Sequence, residues 1–182
     1  MTNEKTKKRI TDLVYIALFT SLIAVCSWIS VPFVIPFTLQ TFAVFVTVAL
    51  LGGKRGTVTV VCYLLLGLCG VPVFSRFNSG PAALFGATGG YLMGFVAIAL
   101  IMWAFEKFFG KKTFVLALSM LAGLGACYIF GSLWYTLVYM KSAGGSGFII
   151  ALTQCVLPFI LPDVAKLALA LVIQKRLGKY VK

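Results

Sequence analysis

A compact bundle of membrane-crossing α-helices is the fold class this sequence predicts, on three observations. Of its 182 residues 61% are hydrophobic and only 11% charged, whereas a soluble domain has roughly 45–50% apolar and about 25% charged residues. The mean hydropathy is +1.05. The apolar residues run in long blocks separated by short clusters of Lys and Arg, the layout of a multi-pass chain whose loops carry the charge. A span takes about 20 apolar residues, so the length accommodates about six. They form a single domain over residues 1–182, with no soluble domain attached.

The elements follow in order. Residues 1–9, with Lys5, Lys7, Lys8 and Arg9, make a polar basic leader. The first span is predicted over about 10–30; it lacks the small-residue exit of a signal peptide. Ala17, Ser21 and Ala24 recur along it, and small residues let a second helix approach closely, inside the bundle or from another protein. Thr20 and Ala24 offer a competing small face. Pro32 and Pro36 then break the helix and make an ordered outer loop. A short second span is predicted over 39–51, opening in the polar cluster Thr38-Leu39-Gln40-Thr41. Gly52-Gly-Lys-Arg-Gly56 turns the chain; it lacks the G-x-x-x-x-G-K-[ST] spacing of a phosphate loop. The third span is predicted over 57–70.

Residues 71–90 are the longest stretch predicted to be non-helical. Loops beyond about 12–15 residues in a compact domain are usually functional or disordered, and this one is too apolar and aromatic for disorder. It is expected to fold back as a lid or pocket wall, with Arg76 and Asn78 as its polar side chains. A fourth span is predicted over 91–106 and a fifth over 113–140. The fifth is long enough to tilt or kink near Gly123, Gly125 and Gly131. Trp134, Tyr135 and Tyr139 near its end suit an interfacial belt or a pocket wall. Gly144-Gly-Ser-Gly147 is a flexible turn, and 148–157 a short apolar helix. The sixth span, 158–177, is expected to start between Pro158 and Pro162, since proline is tolerated in a first helical turn.

Charge orients the bundle. With the N-terminus inside, 13 of the 16 basic residues fall in inner segments. Arg76 and Lys141 alone lie in outer loops, and Lys166 lies within the membrane. By the positive-inside rule both termini are cytoplasmic and the protein resides in the cell membrane.

Several function classes drop out. The basic residues are scattered between apolar runs, which argues against a nucleic-acid partner and for the lipid bilayer. Cys26, Cys62, Cys69, Cys127 and Cys155 all sit in apolar segments and are odd in number, so they read as small buried hydrophobes. Histidine is absent, which removes the commonest general base and metal ligand. A serine-protease reading of Gly144-Gly-Ser-Gly147 would need such a base. Only Glu4, Asp12, Glu106 and Asp163 are acidic, too few for metal-dependent phosphotransfer. No enzyme activity, catalytic residue, metal or cofactor is expected.

Asp163 and Lys166 stand out inside the last apolar block, Pro158-Phe-Ile-Leu-Pro-Asp-Val-Ala-Lys166. Positions three apart share a helix face. A charge at mid-bilayer costs about 2.5–3.5 kcal/mol on insertion scales, and intramembrane charges usually line a ligand or ion pathway. The alternative is a structural ion pair holding the last helix to its neighbours. At 1.5 Å per residue the stretch from Asp163 to Lys175 measures about 18 Å. That puts Asp163 in the outer half of a core about 30 Å thick, beside the proline-rich and glycine-rich loops. An outward-facing pocket is expected there.

Four motifs in order, Pro36-Phe-Thr-Leu-Gln-Thr-Phe42, Val71-Pro-Val-Phe74, Gly86-Ala-Thr-Gly-Gly-Tyr-Leu-Met-Gly-Phe95 and Pro158-Phe159 with Asp163-x-x-Lys166, resemble the BioY family across nearly the whole chain. Ala87 and Pro162 depart from the family's usual residues. Those proteins are biotin-binding S components of energy-coupling factor transporters. The resemblance implies substrate binding by Asp163, Lys166, Asn78, Arg76, Gln40, Phe74, Gly89 and Tyr91, with Trp134 and Tyr135 as further aromatic cover. It implies biotin as the transported ligand. It also implies that Ala17 and Ser21 dock on a transmembrane coupling protein, which works with ATP-binding subunits. A self-sufficient secondary transporter of biotin or a similar vitamin is the alternative, and uptake by the chain alone would distinguish it.

Overall fold

The computed structural model describes residues 2–32, 35–139 and 146–181. Among them run α1 (Thr2–Trp28), β1 (Ser30–Val31), β2 (Phe37–Thr38), α2 (Gln40–Leu51), α3 (Gly53–Leu68), α4 (Gly80–Leu84), α5 (Gly89–Phe109), α6 (Thr113–Tyr139), α7 (Ser146–Cys155) and α8 (Leu157–Leu177). Residues 33–34 of the predicted outer loop, Lys141 and Gly144-Gly145 lie outside the described residues.

Among the described residues four helical stretches are long and apolar enough to cross a membrane: Glu4–Trp28, Gly89–Phe109, Thr113–Val138 and Ala151–Leu177. The helices α2 and α3 are shorter, at 12 and 16 residues. At 1.5 Å per residue they reach about 18 and 24 Å, less than a hydrocarbon core of about 30 Å. Their place in the bundle explains this for α2. It is apolar on every side, and nine of its residues, from Gln40 to Leu51, are buried; a helix apolar all round belongs in the core. It packs on α1, α3, α5 and α8.

Several boundaries differ from the sequence expectation, each for a local reason. The basic leader is helical from Thr2. Its Lys and Arg are good helix formers, Glu4 and Lys8 have stabilising spacing, and the Thr11 hydroxyl donates to the Lys7 carbonyl. The turn after α2 is tighter than the five residues expected. Gly52 alone makes it at φ +81°, a left-handed geometry open to glycine. The Gly53 N–H then donates to Glu106 Oε2 at 2.5 Å, so α3 starts four residues early. Glu106-Lys107 does not end α5, which runs on to Phe109.

The helix α6 runs unbroken from Thr113 to Tyr139. Two of its glycines pack closely on α5: a Cβ on Gly131 would lie 2.4 Å from the Tyr91 ring and one on Gly123 3.1 Å from Ile98 Cα, whereas Gly125 meets nothing within 4 Å. From the α5 side, a Cβ on Gly90 would lie 2.3 Å from Trp134 Cβ. Ahead of α5, residues 71–88 are partly helical, with a 3-10 turn at Ser75–Phe77 and the short α4. Inside that turn Arg76 and Phe77 both have positive φ, 59° and 58°. The exposed Phe77 ring stacks on Trp28 with centroids 5.0 Å apart, and the Phe74 N–H closes the turn on the Asn78 carbonyl. Finally, α8 begins at Leu157, ahead of both prolines, with Pro162 inside it. The bond lost is the one a Pro162 N–H would have made to Pro158.

Candidate functional site

Asp163, Lys166, Leu167 and Ala170 are buried on α8, spaced as one helical face. That face meets α2 and, through Asp163, α6. Asp163 and Lys166 border a cavity of about 250 Å³. The start of α2 and the 74–88 segment supply part of its wall. The first turns of α5, the middle of α6, the end of α7 and the first half of α8 complete it.

The Lys166 Nζ lies 2.7 Å from Asp163 Oδ1, with only 8% and 5% of the two side chains exposed. Lys166 also donates to the Thr38 carbonyl at 2.7 Å, and its ammonium sits 3.9 Å from the centroid of the Phe37 ring. The β-ladder, Ser30 opposite Thr38 and Val31 opposite Phe37, therefore places both a carbonyl and an aromatic face against the cation. Asp163 accepts two further bonds, from Tyr128 Oη at 2.6 Å and from Thr41 Oγ1 at 3.3 Å. An ionised carboxylate has about four acceptor sites and an ammonium three donors. The protein thus occupies three of the former and two of the latter. Among the described residues one acceptor site, on Oδ2, and one ammonium donor remain, in a site whose two charges cancel.

The sequence-predicted residues divide clearly. Asp163, Lys166, Asn78, Gln40, Phe74 and Tyr91 all line this cavity. Arg76 and Gly89 do not. Arg76 is exposed on the turn between the lining residues Ser75 and Asn78. Gly89 is buried against the end of α4, where a Cβ would fall 1.8 Å from the Leu84 carbonyl oxygen. Trp134 and Tyr135 also stay off the wall, and Trp134 donates to the Gly86 carbonyl at 3.0 Å.

Gln40 lines the cavity but is committed elsewhere. It accepts from Thr38 and donates to Tyr63 Oη at 2.6 Å; Tyr63 in turn donates to the Val73 carbonyl, which Ser27 also reaches. This buried chain ties α1, α2 and α3 to the cavity wall. Tyr128 was missed by sequence reasoning. Its signal was a phenol in mid-helix, far from either interface, since a buried hydroxyl needs a partner.

On α1 the alternatives separate. Ala17 and Ser21 are exposed on the outer surface, whereas Thr20 and Ala24 are buried in the bundle. The expected triad of Ala17, Ser21 and Ala24 therefore does not share one free face.

The sequence model of the BioY family matches residues 1–182. The chain belongs to the BioY family. Among its BioY relatives, the "Biotin transporter BioY" of Thermotoga maritima is 40% identical over 172 residues, covering 92% of this chain and 96% of that protein. The "Probable biotin transporter BioY" of Pyrococcus horikoshii is 38% identical over 163 residues, covering 89% and 93%. A crystal structure of the S-component for biotin from an ECF-type ABC transporter superposes with a TM-score of 0.81 at 28% identity, over 98% of this chain and 95% of that one. With four helices of spanning length, this BioY chain is a multi-pass membrane protein.

Proposed function

We propose that this chain is the biotin-binding S component of an energy-coupling factor importer, a transporter subunit and not an enzyme. The observation that carries this reading is the buried Asp163–Lys166 pair on the cavity wall, with one acceptor site and one donor left over. One edge of biotin's ureido ring presents an N–H beside a carbonyl, which a carboxylate acceptor and an ammonium donor on one helix face can meet. Asn78, able to donate and accept, is available to the second N–H. Phe74, Tyr91, Phe95 and Phe159 offer apolar cover for the fused rings. The exposed Arg76 would meet the valerate carboxylate outside the cavity.

In this reading six segments cross the membrane, α7 and α8 counting as one crossing, with both termini cytoplasmic. The buried α2 and its neighbour α3 are short because the bundle, not lipid, covers much of them. Residues 71–88 act as the lid over the cavity. No P-loop motif is present in the sequence, so ATP-driven uptake draws on partner subunits, and the exposed Ala17–Ser21 face of α1 meets the coupling protein.

The test is to purify the chain in detergent, identify the copurified small molecule by mass spectrometry, and titrate biotin into the emptied protein by calorimetry. Stoichiometric biotin is expected; no heat with biotin and a different bound molecule would overturn the assignment. The docking face has its own test. Ala17→Trp should abolish ATP-dependent uptake in cells holding the coupling subunits, while biotin affinity of the isolated chain stays unchanged. Loss of both would make Ala17 a packing position.

A further inference from the structure

A second cavity, of about 490 Å³, lies at the opposite end of the bundle, between the turns that follow α2 and α5 and the end of α8. Its polar lining is mainly cationic: Lys54, Arg55 and Lys111 face it, against the single carboxylate of Glu106. Two of these cations are paired, Lys111 with Glu106 at 3.0 Å and Arg55 with Asp12 at 2.9 Å. No ion pair among the described residues uses Lys54. The cavity as a whole carries more positive than negative charge.

The rest of its lining is apolar, including Leu51, Met102, Trp103 and Val115. Around the same turn Phe108, Phe109 and Phe114 are 74%, 63% and 78% exposed, interleaved with Lys107, Lys111 and Lys112. Exposed aromatic rings alternating with ammonium groups are suited to the boundary between hydrocarbon and headgroups. At that depth a cavity with a cationic rim and apolar walls matches one molecule on both counts. Basic pockets between helix ends take anionic headgroups, and a soluble anion would leave the Trp103 and Val115 walls uncovered.

We propose that this cavity binds an anionic phospholipid, with its phosphodiester between Lys54 and Lys111 and its acyl chains along Trp103 and the exposed phenylalanines. The site is independent of the biotin cavity, so its test does not require biotin to bind. The full-length chain in detergent is titrated with brominated phosphatidylglycerol and brominated phosphatidylcholine, reading tryptophan quenching. Phosphatidylglycerol is expected to quench at least about 5-fold more tightly, and that component should vanish in Trp103→Phe. Lys54→Gln/Lys111→Gln should reduce phosphatidylglycerol to the phosphatidylcholine level. Lys175→Gln/Lys179→Gln removes as many charges outside the cavity and should leave binding intact. Glu106→Gln keeps an acceptor for the Gly53 N–H and should bind as tightly or more so. Melting curves and gel filtration without lipid establish that each variant is folded.

Four outcomes would overturn the proposal. Equal quenching by the two lipids, or equal losses in both double variants, would reduce it to diffuse attraction. Displacement by millimolar inorganic phosphate would make it a phosphate site. Unchanged lipid binding in Lys54→Gln/Lys111→Gln, with loss of copurified coupling subunits, would make it a protein seat.

Discussion

The two ends of this molecule each hold a lysine–carboxylate pair, at nearly the same distance and with opposite surroundings. Asp163 and Lys166 lie 2.7 Å apart with 5% and 8% of their side chains exposed. Glu106 and Lys111 lie 3.0 Å apart with 26% and 78% exposed. The length of an ion pair says little about its consequence; its dielectric surroundings decide. Two buried charges forgo hydration, and removing one partner strands the other at a cost of about 3–5 kcal/mol. An exposed pair is screened and is worth about 0–1 kcal/mol. The buried pair must also be completed by other groups, and Tyr128, Thr41 and the Thr38 carbonyl do so. At the exposed end the Gly53 N–H is the further partner of Glu106 among the described residues.

The comparison breaks most visibly at Lys166. Lys166→Met should lower stability by about 3–5 kcal/mol, seen as a depressed melting temperature, and should weaken biotin binding as well. The double variant Asp163→Asn/Lys166→Met should recover much of the stability, because no charge is left stranded, but not the binding. If affinity survives in the folded fraction of either single variant, the pair is scaffolding and the ligand lies elsewhere.

A smaller effect belongs to Asp163→Asn alone, which keeps the shape and trades an ionised acceptor for a neutral amide. Hydrogen bonds to charged groups contribute about 1.5–3 kcal/mol, against 0.5–1.5 for neutral ones. A loss of about 1–2 kcal/mol would weaken biotin roughly 5–30-fold by calorimetry. Affinity equal to the unmodified chain would show that Asp163 does not touch the ligand.

The smallest effect is expected at the other end. Lys111→Gln should change stability by less than about 1 kcal/mol, and molar salt should erase most of the difference because exposed charges are screened. Biotin affinity should not respond. A melting shift comparable to that of Lys166→Met would mean that the Glu106–Lys111 pair is shielded in the membrane.

The amino-acid order by itself determined the class of this protein and its charged focus. Apolar block length, the grouping of Lys and Arg, and the three-residue spacing of Asp163 and Lys166 are local or compositional properties, and helical geometry alone projects the pair together. Packing decided what surrounds it. Tyr128 is 35 positions from Asp163, and Thr38 is 128 from Lys166; no helical period connects them. They meet because glycines let α5 and α6 close on each other and because a short β-ladder turns its carbonyl inward. The same holds for the candidates that left the cavity. The 71–90 loop offered Arg76 beside Asn78 and its glycine motif Gly89 beside Tyr91, but a left-handed turn puts Arg76 on the surface, and the close approach of α4 claims Gly89. The choice between the two small-residue faces of α1 was likewise tertiary: spacing made them equivalent, and the core took Thr20 and Ala24 while leaving Ala17 and Ser21 outside.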